Sequence, residues 1–486
     1  MNNTNTDLAE QLKEIKPEVI IVGAGLAGSE CAWQLQKAGI KRIALIEQRP
    51  IQKTEAHRTE RFAELVCSNS LKSTDPDSAP GQLKWELEQL DSLIIKAARE
   101  ARVPAGQALG VDRILFSQIV SQKLEEAESV FIVRQHVADY KELLGPGCPI
   151  VLATGPLTHK SLAESLEPHI GTQLYFYDAI APIVEGDSIN LDIAFRQNRY
   201  DKGDAGIKSD EVGDYINCPF NKEEYENFIA EIQKAQKFQP HDFETAIYFS
   251  GCQPIEAMLE RGENTLRFGP MKPKGITDPR TGERPHAVLQ LRSEDSEGRS
   301  WNLVGFQTKM MYPEQKRIFR MIPGLEDANF YRFGSMHRNT FINSQDLLTH
   351  SFALKTESKL HFAGQITGAE GYTESTAIGA LIGRQIAHKL LHANEADLLP
   401  PQSTAIGSLA HFLVNNKVKN FQPTNINWGL VPLEDLQFNR RDKKDKKAKL
   451  SERARNDFSQ WLDKTNKNNL ATTEDFKLVS PSLSPS

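Results

Sequence analysis

The segment EVIIVGAGLAGSECAWQLQKAGIKRIALIEQRP, residues 18–50, restricts the fold of this chain more than any other stretch. VIIV is a short β-branched run that reads as a buried strand. GAGLAG is a turn, SECAWQLQKAG a helix closed by Gly39, and RIALIE a second strand. Two strands joined through a helix make one βαβ unit with a right-handed crossover. Gly23, Gly25 and Gly28 form GxGxxG at the strand-to-helix turn. The first glycine permits the tight turn, the second lets a pyrophosphate approach the backbone, and the third lets helix and strand pack closely. Free N–H groups and the helix dipole favour phosphate at that helix start. Glu47 ends the second strand about twenty residues on, where an acid accepts ribose hydroxyls. Gly23, Ala24, Gly25, Leu26, Ala27, Gly28 and Glu47 are therefore the first candidate cofactor contacts. A glycine-rich turn without a ligand is the competing reading, and the βαβ context argues against it.

Two later stretches point to FAD over a plain nicotinamide fold. VLATG, residues 151–155, resembles the strand that closes the dinucleotide domain of many flavoproteins. LHFAGQITG, residues 360–368, resembles their late motif, in which a strand leads to a helix whose N-terminus faces the flavin. Gly155, Gly364, Gln365 and Gly368 join the candidate contacts. Tyr372, just beyond Gly371, is an aromatic placed to stack on a flavin or pterin ring, with ordinary packing as the alternative. The expected fold class is α/β: a Rossmann-like, glutathione-reductase-like FAD-binding domain with an inserted α+β domain. At 486 residues two domains are the natural expectation. We expect a polar leader at 1–17, the FAD-binding domain at 18–188 and 330–432, and the insertion at 189–329. A basic and polar C-terminal extension, a charged helix followed by a tail, then fills 433–486.

Bulk properties exclude several classes. A net charge of −6 gives no global signature of a nucleic-acid binder, so any such contact needs a local basic patch. No apolar run approaches the roughly 18 residues that span a bilayer. The N-terminus is polar and acidic, unlike a signal or transit peptide, which implies a cytoplasmic protein. The five cysteines are far apart and lack CxxC spacing, which argues against a disulfide scaffold, a zinc ribbon and a dithiol redox pair. Cys67 stands out among them. In FAELVCSNSLKS, residues 62–73, an apparent turn of amphipathic helix breaks at the cysteine. Ser68, Asn69 and Ser70 follow, each able to hydrogen-bond a ligand or the backbone.

The assembled motifs are GAGLAGSE, KTEAHRTERFAELVCSNSLK, LGVDR, VLATGPLT, YFYDAIAPIV, DYINCP and SGCQPIE in the first half. LRFGPMKPKG, VGFQTKM, GSMHRNTFINS, FAGQITGAEGYTES and FQPTNINWGLVP follow. Together, from about Val19 to Pro432, they resemble the folate- and FAD-dependent tRNA (uracil-5-)-methyltransferase family, TrmFO. The polar leader and the residues after about Glu434 depart from the pattern, and Gln48 and Arg58 are small differences inside it. The resemblance implies that a methylene group passes from 5,10-methylenetetrahydrofolate to C5 of a uridine in the T loop of tRNA. Reduced FAD would supply the electrons, NADPH or NADH would recharge it, and 5-methyluridine would be the product. The same chemistry on large-subunit ribosomal RNA is an alternative. So is a wobble-uridine flavoenzyme of the glucose-inhibited-division family, which SGCQPIE and FAELVCSNSL fit less well. No metal or membrane partner is implied, and the oligomeric state stays open.

Uracil C5 is a poor nucleophile until a thiolate adds to C6, and a base must later remove the C5 proton. Cys252, between Gly251 and Pro254 on an expected tight turn, is the candidate C6 nucleophile, and Cys67 the second catalytic thiol. Their roles are interchangeable at this level. Cys31 reads as core, and Cys148 and Cys218 as inert or structural. His57, Arg58, His337 and Arg338 are weaker candidates for folate carboxylates, phosphates or RNA. Residues 261–292 carry seven basic side chains against three acids, just after Cys252. Arg267, Lys272, Lys274 and Arg284 are the candidate RNA phosphate contacts there.

Overall fold

The computed structural model describes residues 7–475, apart from 55, 172–173, 202–212, 239–252, 393–398, 416–417, 419–420, 435 and 438–441. The βαβ unit forms as its pattern requires: strand Val19–Val22, helix Leu26–Lys37, strand Ile43–Glu47, with the strands parallel and every strand residue buried. They sit inside a six-stranded sheet in the order Ala353–Leu354, Glu357–Phe362, Ile150–Leu152, Val19–Val22, Ile43–Glu47, Val130–Arg134. All neighbours are parallel except the first pair. The chain enters this sheet in its first 150 residues and returns after residue 350, so one sheet is built from two distant parts of the sequence.

Helix Tyr372–His392 lies against helix Leu26–Lys37 because glycines face the crossing. A Cβ on Gly379 would stand 2.2 Å from the Ala27 carbonyl oxygen, and one on Gly383 2.7 Å from that of Cys31. The backbones meet where a side chain would hold them apart, so the late motif is pressed onto the dinucleotide helix.

A second six-stranded sheet, antiparallel throughout, has its own apolar core around Phe220, Phe228, Phe306 and Phe319. Its order is Phe195–Arg196, Tyr215–Phe220, Ala287–Ser293, Ser300–Leu303, Ile183–Glu185, Phe330–Arg332. The strand Ile183–Glu185 lies before the expected start of the insertion, and we propose that this unit reaches from Ile183 to Arg332. An antiparallel ribbon, Leu174–Ala179 with Met336–Phe341, carries the chain out and back.

Two local expectations change. The apparent helical turn at Phe62 is absent, because Ala63 adopts a left-handed backbone (φ 50°) and the segment runs through turns into strand Ser70–Ser73. Cys218 lies fully buried in strand Tyr215–Phe220. The C-terminal helix Lys443–Asp475 is charged as expected but also docked. Leu450, Ala454 and Phe458 recur at helical spacing and are buried, with Phe458 edge-on to Trp85 at 6.2 Å.

Candidate active site

Helix Leu26–Lys37 begins with Gly25 as N-cap and no side chain on its first turn, so its leading N–H groups remain available. A Cβ on Gly25 would meet nothing within 4 Å, whereas one on Gly28 would stand 1.9 Å from the Gly23 carbonyl oxygen. Gly28 is thus required by packing, and Gly25 keeps a cleft open. Gly23 (φ 99°) turns the strand end, with the Ala153 carbonyl oxygen 2.5 Å from its would-be Cβ.

That cleft runs from Glu47 past Gly25, Leu26 and Ala27 to Gly155, Gly364, Gln365 and Tyr372. Ala24 is buried and donates its N–H to Glu47 Oε2 at 3.1 Å. Burial works to raise Glu47, but hydrogen bonds and the charge of Arg49 outweigh it and hold the carboxyl below its usual value. A ribose diol would share that carboxylate with Arg49. His57 lines the same cleft. Burial, then the Arg49 charge, pushes it to about 4, so it is neutral at pH 7, while Arg58 is exposed. Gly368 (φ 87°) packs against Phe421 and does not line the cleft. The uncapped helix start, the open side of Gly25 and the buried acid fit a dinucleotide such as FAD.

A second cleft shares Val66, Pro156, Leu157, Gln365 and Tyr372 with the first. Cys67 lines it. The loop around Cys67 is held from both sides. The Tyr372 hydroxyl oxygen accepts the N–H of Cys67 at 2.9 Å and of Ser68 at 3.1 Å. Burial chiefly raises the Tyr372 hydroxyl, so it stays protonated. On the other side Arg113 donates to the carbonyls of Leu65 (2.7 Å) and Cys67 (3.1 Å), and Arg332 reaches those of Val66 and Cys67. Arg113 is itself paired with Glu294 of the second unit.

Asn69 is not a ligand contact. It is fully buried, its amide donates to the carbonyls of Val111 and Ser293, and its oxygen accepts from Arg292 at 2.8 Å. Arg292 likewise leaves the basic surface run. It is 7% exposed and also donates to Ser68 Oγ at 3.2 Å. These bonds tie the second unit to the Cys67 loop, and Arg292, Asn302 and Gln307 bring that unit's side chains into the cleft.

Residues 18–394 match the family model described as glucose inhibited division protein A. A solved GidA structure from Aquifex aeolicus superposes with a TM-score of 0.62 over 94% of this chain and 80% of that one, at 15% identity. That likeness shows the flavoprotein fold. Curated relatives are far nearer in sequence. The methylenetetrahydrofolate–tRNA-(uracil-5-)-methyltransferase TrmFO of Bdellovibrio bacteriovorus is 52% identical over 91% of this chain and 98% of its own length. The enzyme of the same name from Geotalea uraniireducens is 51% identical over 92% and 99%. The chain belongs to the TrmFO family. Identity of about half over nearly the full length places the chain with TrmFO and not with the wobble-uridine alternative.

Against the TrmFO reading of the sequence, the structure gathers Gly25, Glu47, Gly155, Gly364, Gln365 and Tyr372 around one cleft and places Cys67 in its neighbour. Cys252 lies outside the described residues, as do the side chains of His337 and Arg338. Cys31 is fully buried and Cys148 half-buried. Lys272, Lys274 and Arg284 are exposed, while Arg267 is half-buried with Nε donating to the His286 carbonyl at 2.8 Å. Sequence reasoning passed over Lys72, Arg113, Arg332 and Glu370. The first two and Glu370 stand inside quoted motifs, CSNSLK, LGVDR and GAEGYTES, but only contacts across the fold give them a task.

Proposed function

We propose that this chain moves a one-carbon unit from 5,10-methylenetetrahydrofolate to C5 of a uridine in the T loop of tRNA, forming 5-methyluridine in the cytoplasm. The observation that carries this reading, beside family membership, is the shared wall of the two clefts. Tyr372 lines both and holds the loop of Cys67, so a thiol stands next to the dinucleotide cleft. Bound there, FAD supplies the electrons that turn a transferred methylene into a methyl group, and NADPH or NADH is its reductant.

The chain's own residues do the rest. The uncapped N–H groups after Gly25 hold pyrophosphate, and Glu47 orients a ribose. Gly364 brings backbone beside Ala27, where a Cβ would stand 2.7 Å from the Ala27 methyl, and leaves the far end of the cleft flat enough for a ring. One thiol adds to uracil C6. We assign that step to Cys252 and keep Cys67 as the second thiol, a base or a group near the flavin. Arg267, Lys272, Lys274 and Arg284 supply phosphate contacts on the second unit, which give affinity without sequence choice.

The test adds methylenetetrahydrofolate and NADPH to the purified yellow protein with unmodified tRNA or ribosomal RNA and analyses the nucleosides. We expect 5-methyluridine in tRNA, and none with Cys252→Ala, which should keep its flavin. Product in ribosomal RNA alone would reassign the substrate. No product in either, with flavin bound, would sink the reading.

A further inference from the structure

The second cleft holds two carboxyl groups without a task in that reading. Glu370 and Asp178 each line it and are each 8% exposed. Glu370 sits between the turn Gly364–Thr367 and helix Tyr372–His392, with its N–H bonded to the Thr424 carbonyl at 2.9 Å. Its Oε2 accepts from Gln365 Nε2 at 2.6 Å, and its other oxygen accepts nothing from a described residue.

Among the described residues, the charged groups around it come from three elements. Asp178 faces it from strand Leu174–Ala179, Lys72 from strand Ser70–Ser73, and Glu374 from the helix that follows. Lys72 is committed elsewhere, with its ammonium 2.6 Å from Glu374 Oε1 and also on Asn425. Glu374 is thereby balanced, and both Asp178, which raises the proton affinity of Glu370, and Lys72, which lowers it, act on that carboxyl. Burial chiefly, then the Asp178 charge, pushes Glu370 to about 8, so the carboxyl keeps its proton at neutral pH.

A protonated carboxyl is a poor base and a ready acid. The one-carbon donor in the reading above holds its methylene in a five-membered ring between two nitrogens, N5 and N10. The carbon becomes electrophilic only when one C–N bond opens. We propose that Glu370 is the acid that opens this ring, delivering its proton to N10 as the C–N10 bond breaks. The electron pair of that bond goes to N10, the N5 lone pair forms the new C=N⁺ bond, and Glu370 is left as carboxylate. No oxidant or reductant enters the step. Asp178 acts through Glu370 as a positioning residue, by keeping the proton on it.

The proposal rests on the folate reading, and its test separates the two. The rate of 5-methyluridine formation is followed against pH in single turnovers of the full-length flavoprotein, reduced beforehand with NADPH. Wild type should lose rate as pH rises through about 8, because the protonated, active form is lost there. Glu370→Gln should be slower by about 100-fold or more, the usual worth of a general acid, and should lack that alkaline limb. Its flavin content, flavin reduction by NADPH and affinity for tetrahydrofolate, which has no ring to open, should stay within about threefold of wild type. Glu370→Asp should recover part of the rate. Asp178→Asn should move the alkaline limb to lower pH. The proposal is overturned if Glu370→Gln methylates within about threefold of wild type, keeps the same limb, or loses tetrahydrofolate binding in step with the rate. A wild type that forms no 5-methyluridine removes the folate reading and the proposal together.

Discussion

Tyr372→Phe isolates the contact that joins the two clefts. The ring stays, and only the hydroxyl that accepts the Cys67 and Ser68 N–H groups is removed. A buried N–H without a partner costs about 1–3 kcal/mol. Both residues are half-buried, so water replaces part of what is lost. The net is about 2 kcal/mol, or roughly 30-fold in the balance between a held and a displaced loop, since 1.36 kcal/mol is tenfold. The carbonyl side of the loop remains held by Arg113 and Arg332, so displacement should be local and the protein should stay folded. Alkylation of Cys67, followed by peptide mapping, reads the loop directly. Cys31 and Cys218 are internal controls because both are fully buried. We expect Cys67 labelling to rise by about 10- to 30-fold, methyl transfer to fall by a similar factor, and flavin content to hold. Labelling and turnover both within about twofold of wild type would show that the hydroxyl does not hold the thiol, and would refute the reasoning.

The glycines of the dinucleotide turn should divide by mechanism. Gly25→Ala, at φ −72° with open space around its Cβ, should fold as well as wild type yet release flavin, seen as lost absorbance in a protein with the urea midpoint of flavin-free wild type. Gly28→Ala, whose Cβ would lie 1.9 Å from a carbonyl oxygen, should lower stability by about 1–3 kcal/mol or more even without flavin. Equal stability of the two flavin-free variants would contradict this division. Arg113→Ala strands the buried Glu294 and leaves the Leu65 carbonyl without its donor, while that of Cys67 keeps Arg332. It should cost about 3–5 kcal/mol in urea unfolding, whereas an Arg113→Ala, Glu294→Ala double variant should recover part of that loss.

The sequence by itself determined the dinucleotide half of this protein. A β-branched run, three glycines at fixed spacing and an acid at the next strand end are all constraints between near neighbours. Strand, turn and helix start follow from backbone hydrogen bonding and steric fit within about thirty residues. The long TrmFO motifs likewise named the family before any contact was seen. Tertiary structure alone decided what those motif residues do. Cys67 and Tyr372 are 305 positions apart, and their contact exists only because glycines let helix Tyr372–His392 press onto the first one. The stretch from Phe62 to Val66 carries a short helical pattern that the fold overrides, since backbone groups of the loop are taken by Tyr372, Arg113 and Arg332. Arg292 looked like one more surface charge in a basic run, and burial against Asn69 makes it a tie between the two units. Glu370 carries no mark in the sequence that separates it from other glutamates. Its raised proton affinity comes from desolvation and from a charge nearly two hundred residues away, terms set by what surrounds a group in space and not by what precedes it in the chain.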